Sequence, residues 1–165
     1  MLVLGIDPGT AITGYGLVRE DEEGLGLVNC GVITTPSDQP LPARLQTIYQ
    51  GLTNLIREHE LDAAAVEELF FSRNVRTALS VGHARGVTML ALADANLPIY
   101  EYKPLEIKLA VTGYGGADKH QIQEMVRLLL NLDRVPRPDD AADALAVAVC
   151  HIHSARMTAL IADAE

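Results

Sequence analysis

The stretch Met1-Leu-Val-Leu-Gly-Ile-Asp-Pro-Gly-Thr10, MLVLGIDPGT, decides the fold. Its apolar run from Leu2 ends on Asp7 and is followed at once by Pro8-Gly9. A run without polar alternation reads as a strand covered on both faces, as in sheets with helices above and below. Pro-Gly then marks a turn. Ligands gather outside the carboxyl ends of strands in open α/β sheets, so Asp7 stands where such a sheet places its chemistry. Asp also accepts hydrogen bonds from turn backbone, and on this stretch alone a turn-capping role accounts for Asp7 equally well.

Working outward, Gly14–Arg19 and Leu25–Thr35 read as two further strands about the acidic turn Glu20–Gly24, a gap short enough for antiparallel hairpins. Pro40–Glu60 sets Leu41, Leu45, Ile48, Leu52, Leu55 and Ile56 on one stripe at helical spacing, long enough to cross a sheet. Ala63–Glu67 is then a short buried strand. A strand–helix–strand connection returns parallel to the first strand, and this second parallel strand also ends on an acid, Glu67. After the loop Glu68–Asn74, Val75–Asn96 reads as a helix with Ala78, Gly82 and Gly86 four apart. That spacing gives a flat face for close packing, within the fold or across a dimer. Pro98–Tyr102 is a fifth strand, Pro104–Val111 a helix and Gly113–Gly116 a flexible loop. Asp118 caps a helix with Ile122, Met125, Val126 and Leu129 on one side. Asp139 and Asp140 open the last helix, Ala141–Ala159.

Composition sets bounds. A chain of 165 residues and 17.8 kDa fits one domain, 1–165, with one core. No stretch reads as approaching the roughly 18 apolar residues of a membrane span, and the N-terminus lacks the basic-then-apolar layout of a signal peptide. The expectation is a cytoplasmic protein without membrane contact. Cys30 and Cys150 are isolated in apolar surroundings, and buried thiols are expected rather than a disulfide or metal site. The formal net charge of −9 opposes nucleic-acid binding, which Lys and Arg drive by releasing counterions from phosphate. The distribution qualifies that. Residues 1–66 carry three basic and nine acidic side chains, whereas Leu69–Ala93 holds Arg73, Arg76 and Arg85 and no acid. If the acids hold metal, two divalent ions would bring the total to about −5.

Four acids stand out: Asp7 and Glu67 at the ends of parallel strands, and Asp140 and Asp143 in the first turn of the last helix. Positions three apart on a helix share a face, and acids in a first turn also serve capping and the helix dipole. Two strand ends and one helix start can bring all four together. Carboxylates about 5 Å apart repel by roughly 3 kcal/mol at an effective dielectric near 20. Nothing structural needs such a cluster. A carboxylate-only set selects hard ions, Mg²⁺ or Mn²⁺, over zinc, and paired divalent ions stabilise both the attacking and leaving oxygens of a displacement at phosphorus.

The motifs VLGIDPGTAITGYG, VEELFFSRN with TALSVGHARG, EIKLAVTGYGGADKHQIQEMVR and PDDAADALAVAVCH resemble the RuvC family of Holliday junction resolvases in order and spacing through nearly the whole chain. The resemblance implies a ribonuclease H-like α/β fold, a five-stranded mixed sheet with three strands antiparallel and two parallel, flanked by helices. It also implies a homodimer that nicks four-way junction DNA symmetrically, with two Mg²⁺ per site and Mn²⁺ as the alternative, partnered by a RuvA/RuvB-type branch-migration complex. Carried over, the family's catalytic and metal-binding acids fall on Asp7, Glu67, Asp140 and Asp143. Its phosphate-neutralising lysines fall on Lys108 and Lys119, and its base-stacking aromatic on Phe70, with Phe71 beside it. Arg73 and Arg76 are expected to contact DNA phosphates, Arg76 on local charge alone. Asp139 precedes the motif acid and is assigned to capping or solvent. A sugar-kinase-like phosphotransferase, which also places an Asp before a Gly-rich turn, would show nucleotide turnover without DNA. A junction-binding protein without catalysis would be insensitive to metal.

Overall fold

The apolar run forms strand β1 (Leu2–Asp7), in which Val3, Leu4 and Ile6 have no exposed surface. The computed structural model describes residues 1–68 and 75–162, the side chains of 75–77 excepted. β2 (Ile12–Asp21) and β3 (Gly24–Thr34) continue from β1 as an antiparallel meander, and β4 (Ala63–Glu67) and β5 (Ile99–Tyr102) extend its other side in parallel. The order is β3-β2-β1-β4-β5, with β1 in the middle, three strands antiparallel and two parallel as the family resemblance implies. The hairpin is tighter than expected. Glu20 and Asp21 pair with Leu25 and Gly24, leaving Glu22 and Glu23 as the turn. Asp21 Oδ1 accepts the Glu23 N–H at 2.9 Å, and Gly24 takes φ 117°, open to glycine and avoided by other residues.

Helices cover both faces. On one, α1 (Leu41–Glu58) and α2 (Val75–Asp94) pack Ile48, Leu52, Ala84 and Leu92 against Leu4, Ile6 and Leu17. Leu41, at 38% exposure, falls off the expected stripe. On the other face lie α3 (Pro104–Thr112), α4 (Lys119–Leu129) and α5 (Asp139–Ala162), whose buried residues meet Val3, Val18 and Ala65. Asp118 caps α4 as expected: its Oδ1 accepts from Gln121 N–H, and Gln121 Oε1 accepts from Asp118 N–H, both at 2.9 Å.

α5 starts two residues earlier than expected and runs 24 residues. Contrary to the expectation of no such stretch, it is long and apolar enough by composition to cross a membrane. Its apolar character follows from its place across the sheet, where Ala141, Ala142 and every residue from Ala144 to Ile152 are buried. Glycines below let it approach. A Cβ on Gly5 would stand 2.1 Å from Ala144 O, and one on Gly14 2.0 Å from Asp140 O. Both thiols are free. Cys150 is buried and its thiol is pushed up to about 12 by that burial, whereas Cys30, on the edge strand β3, is only half-buried.

Candidate active site

β1 and β4 are hydrogen-bonded neighbours running the same way, with Ile6 opposite Val66, so Asp7 and Glu67 leave the sheet side by side at its carboxyl end. Asp7 is also the register partner of Gly14 on β2. Because Gly14 has no side chain, the first turn of α5 rests on it through the Asp140 carbonyl. That contact brings Asp140 and Asp143 over the ends of β1 and β4.

The electrostatics show how closely the acids share a field. The Asp7 carboxyl is raised from 3.8 to about 7, first by burial and then by Glu67, Asp143 and Asp140, with Lys119 opposing. Burial, then Asp143, raises Glu67. Asp143 is raised by burial, with Asp140 and Asp139 adding to it, against the hydrogen bond from Lys119. Burial and mutual repulsion both disfavour the charged forms. Two clefts flank Glu67. One of about 280 Å³ lies between Asp7, Glu67, Glu68, Val81 and Arg85, and one of about 170 Å³ between Glu67, Lys108, Ile122 and Asp143.

Lys119, the first residue of α4, sets its Nζ 2.9 Å from Asp143 Oδ2 and 3.5 Å from Asp139 Oδ2. Its side chain is 55% exposed, so the pairing is worth about 1 kcal/mol or less and yields readily to a stronger cation. Lys108 reaches the same cleft from α3, half-buried. Among the described residues, no three acidic, His or Cys side chains converge closely enough to hold an ion as they stand. Asp7, Glu67, Asp140 and Asp143 are therefore a charge cluster rather than a finished coordination shell, and Asp143 is paired with the Lys119 ammonium. The donor chemistry fits a divalent ion all the same. The set is all oxygen, partly desolvated and carries more negative charge than one ammonium offsets, which suits a hard cation.

Asp139 opens α5 and its side chain is 41% exposed, in keeping with the expected place in solvent, and it also takes two ion pairs. Its Oδ1 pairs with Arg137 Nη1 while Oδ2 faces Lys119. Phe70, Phe71 and Arg73 lie outside the described residues; Arg76 is in the first turn of α2, and its side chain is likewise outside the description. Sequence reasoning missed the hydroxyls that hold the Pro8-Gly9 turn. Thr13 Oγ1 donates to Gly9 O at 2.7 Å, Thr35 Oγ1 to Thr10 O at 2.5 Å and Ser80 Oγ to Thr10 Oγ1 at 2.9 Å. The one available signal was a Thr directly after Asp-Pro-Gly, and its partners, Thr35 just past β3 and Ser80 on α2, are distant in sequence. Also unforeseen, His151 is buried on α5 with Nδ1 2.8 Å from Tyr102 Oη.

The family model for crossover junction endodeoxyribonuclease RuvC matches residues 3–151. The chain belongs to the RuvC family. Among curated RuvC proteins, that of Chloroflexus aggregans is 61% identical over 155 residues, 94% of each chain, and that of a Roseiflexus species is 58% identical over 93% of this chain and 92% of its own. RuvC of Thermus thermophilus, solved with Holliday junction substrate, superposes with a TM-score of 0.91 at 37% identity, covering 96% of each chain. RuvC proteins are divalent-metal-dependent nucleases, which agrees with the all-oxygen donor set, and the mixed sheet is the ribonuclease H-like architecture expected from the sequence.

Proposed function

We propose that this RuvC-family chain resolves four-way DNA junctions by paired symmetric nicks, with Asp7, Glu67, Asp140 and Asp143 holding two Mg²⁺ ions and Mn²⁺ as the substitute. The observation that carries the reading is the Asp7 carboxyl, raised to about 7 among three other acids at the ends of two parallel strands. A carboxylate so placed is at odds with its surroundings until a cation joins it. Bound ions would activate water and support the departing 3′-oxygen. The chain's own groups do the rest. Lys108 lines the cleft and Lys119 pairs with Asp143 beside it, and ammonium groups there would neutralise charge growing on phosphorus. The β1, β4 and α5 backbones fix where the acids start, so substrate arrives at strand ends whose backbone is already in place.

The active form is a homodimer, one site for each nicked strand. α2 supports that reading, since Leu79 and Leu90 are 61% and 54% exposed and Gly86 meets no other atom within 4 Å of its absent Cβ. Phe70, Phe71, Arg73 and Arg76 would engage the crossover. A RuvA/RuvB-type complex is the proposed partner and the cytoplasm the proposed compartment, with the work done by one ribonuclease H-like domain.

The test is a synthetic four-way junction run with and without Mg²⁺. The wild type should cut only with metal. Asp7→Asn should bind the junction yet cut it more than about a hundredfold more slowly, since even outer-shell losses at metal sites reach that scale. Cutting by the variant at the wild-type rate would remove Asp7 from the reaction.

A further inference from the structure

We propose that Asp139 is a positioning residue that offers the Lys119 ammonium a second berth, leaving Asp143 free to turn toward a divalent ion. The inference rests on the reading of Asp7, Glu67, Asp140 and Asp143 as the ion-holding set.

The geometry is that of a relay between two neighbouring carboxylates. Asp139 and Asp143 are four apart on α5, one above the other on a shared face. Lys119 Nζ is in hydrogen-bond contact with Asp143 Oδ2 at 2.9 Å and waits 3.5 Å from Asp139 Oδ2. A small rotation of a half-exposed lysine exchanges one for the other without moving α4, whose start is pinned by the reciprocal Asp118–Gln121 bonds. Asp139 is itself held. Its other oxygen pairs with Arg137 Nη1 from the preceding loop. Gln123, one turn after Lys119 and 6% exposed, lies beside Asp139 with an Nε2 that makes no hydrogen bond of good geometry. A donor is thus at hand when Asp139 shifts to take the ammonium.

Asp139 stands at the margin of the set it serves: its charge acts on Asp143 and not on Asp7, whose neighbours are Glu67, Asp143 and Asp140. Without Asp139, Lys119 has one carboxylate left and competes with the ion for the same Asp143 oxygens. With it, the lysine stays beside the acids while the ion is bound.

The full-length chain is titrated with Mn²⁺ by calorimetry, together with Asp139→Asn, Lys119→Met and the double variant. Asp139→Asn should weaken Mn²⁺ binding about fivefold, the scale of coupling between residues in contact. Lys119→Met should tighten it. In the Lys119→Met background, Asp139→Asn should then change the affinity by less than about twofold, because its effect runs through the lysine. Loss of negative charge acting through space would weaken binding equally in both backgrounds, and that result would overturn the proposal. Asp139→Glu, which keeps the carboxylate, should restore affinity in the Lys119 background and do nothing without it. It also serves should Asn loosen the start of α5. Failure of the wild type to bind Mn²⁺ would overturn the ion-holding reading beneath, and the relay with it.

Discussion

At the scale of single residues, the balance between burial and charge decides what Asp7 does. Its carboxyl titrates near 7 in the fold and near 3.8 in the unfolded chain. Between those values the unfolded state has lost its proton while the folded state keeps one, so stability falls as pH rises from about 4 to 7. The shift is worth at most about 4 kcal/mol at 1.36 kcal/mol per pH unit. Glu67 and Asp143, also raised, contribute with the same sign. Thermal melts in EDTA should therefore show a lower Tm at pH 8 than at pH 5, and Asp7→Asn should flatten that slope. Added Mg²⁺ should raise the wild-type Tm at pH 8 and leave pH 5 nearly unchanged, because the ion binds the charged form. A wild-type Tm independent of pH over this range would show that Asp7 ionises without strain.

At the scale of elements, the site depends on how closely α5 approaches the sheet. Gly14 faces the Asp140 carbonyl, and a methyl group there would lie 2.0 Å from it. The obstacle is backbone, so the first turn of α5 must lift. Gly14→Ala should cost about 1–3 kcal/mol in urea unfolding, the range for overpacking, and should reduce junction cleavage more than junction binding. Gly26→Ala is the control, since nothing stands within 4 Å of the added atom, and it should leave cleavage unchanged. Equal behaviour of the two variants would mean that the α5 approach does not set the acids. The sequence discloses this element only in part. Asp7 and Glu67 could be read as strand ends because apolar runs stop on them, and Asp140 and Asp143 because helix periodicity begins there. The approach distance was not legible: Gly5 and Gly14 in a strand mark close contact of some kind, and which carbonyl arrives is decided by tertiary packing.

At the scale of the whole molecule, periodicity made the antiparallel start and the parallel return of β4 legible, whereas the sheet as a whole, with β5 beside β4, was implied only by the family resemblance. The pairing of Lys119 with Asp139 and Asp143 was not legible, because the rest of α4 and a loop separate Lys119 from the start of α5 and charge alone names no partner. The exposed side of α2 lies between these cases. Ala78, Gly82 and Gly86 signalled a flat face, and only the structure leaves Gly86 open with Leu79 and Leu90 beside it. Isolated exposed leucines are ordinary, whereas two on one helix face around an uncovered glycine suit a two-fold contact in which each copy covers the other. The Leu79→Glu/Leu90→Glu variant adds four buried charges to such an interface and should sediment near the 17.8 kDa of one chain, with the wild type near twice that mass. Its melting temperature, referred to the monomer, should hold, because neither leucine contributes to the core. Junctions incubated with it should accumulate single nicks in place of paired ones. A variant that still sediments as a dimer and still cuts in pairs would move the two-fold contact away from α2.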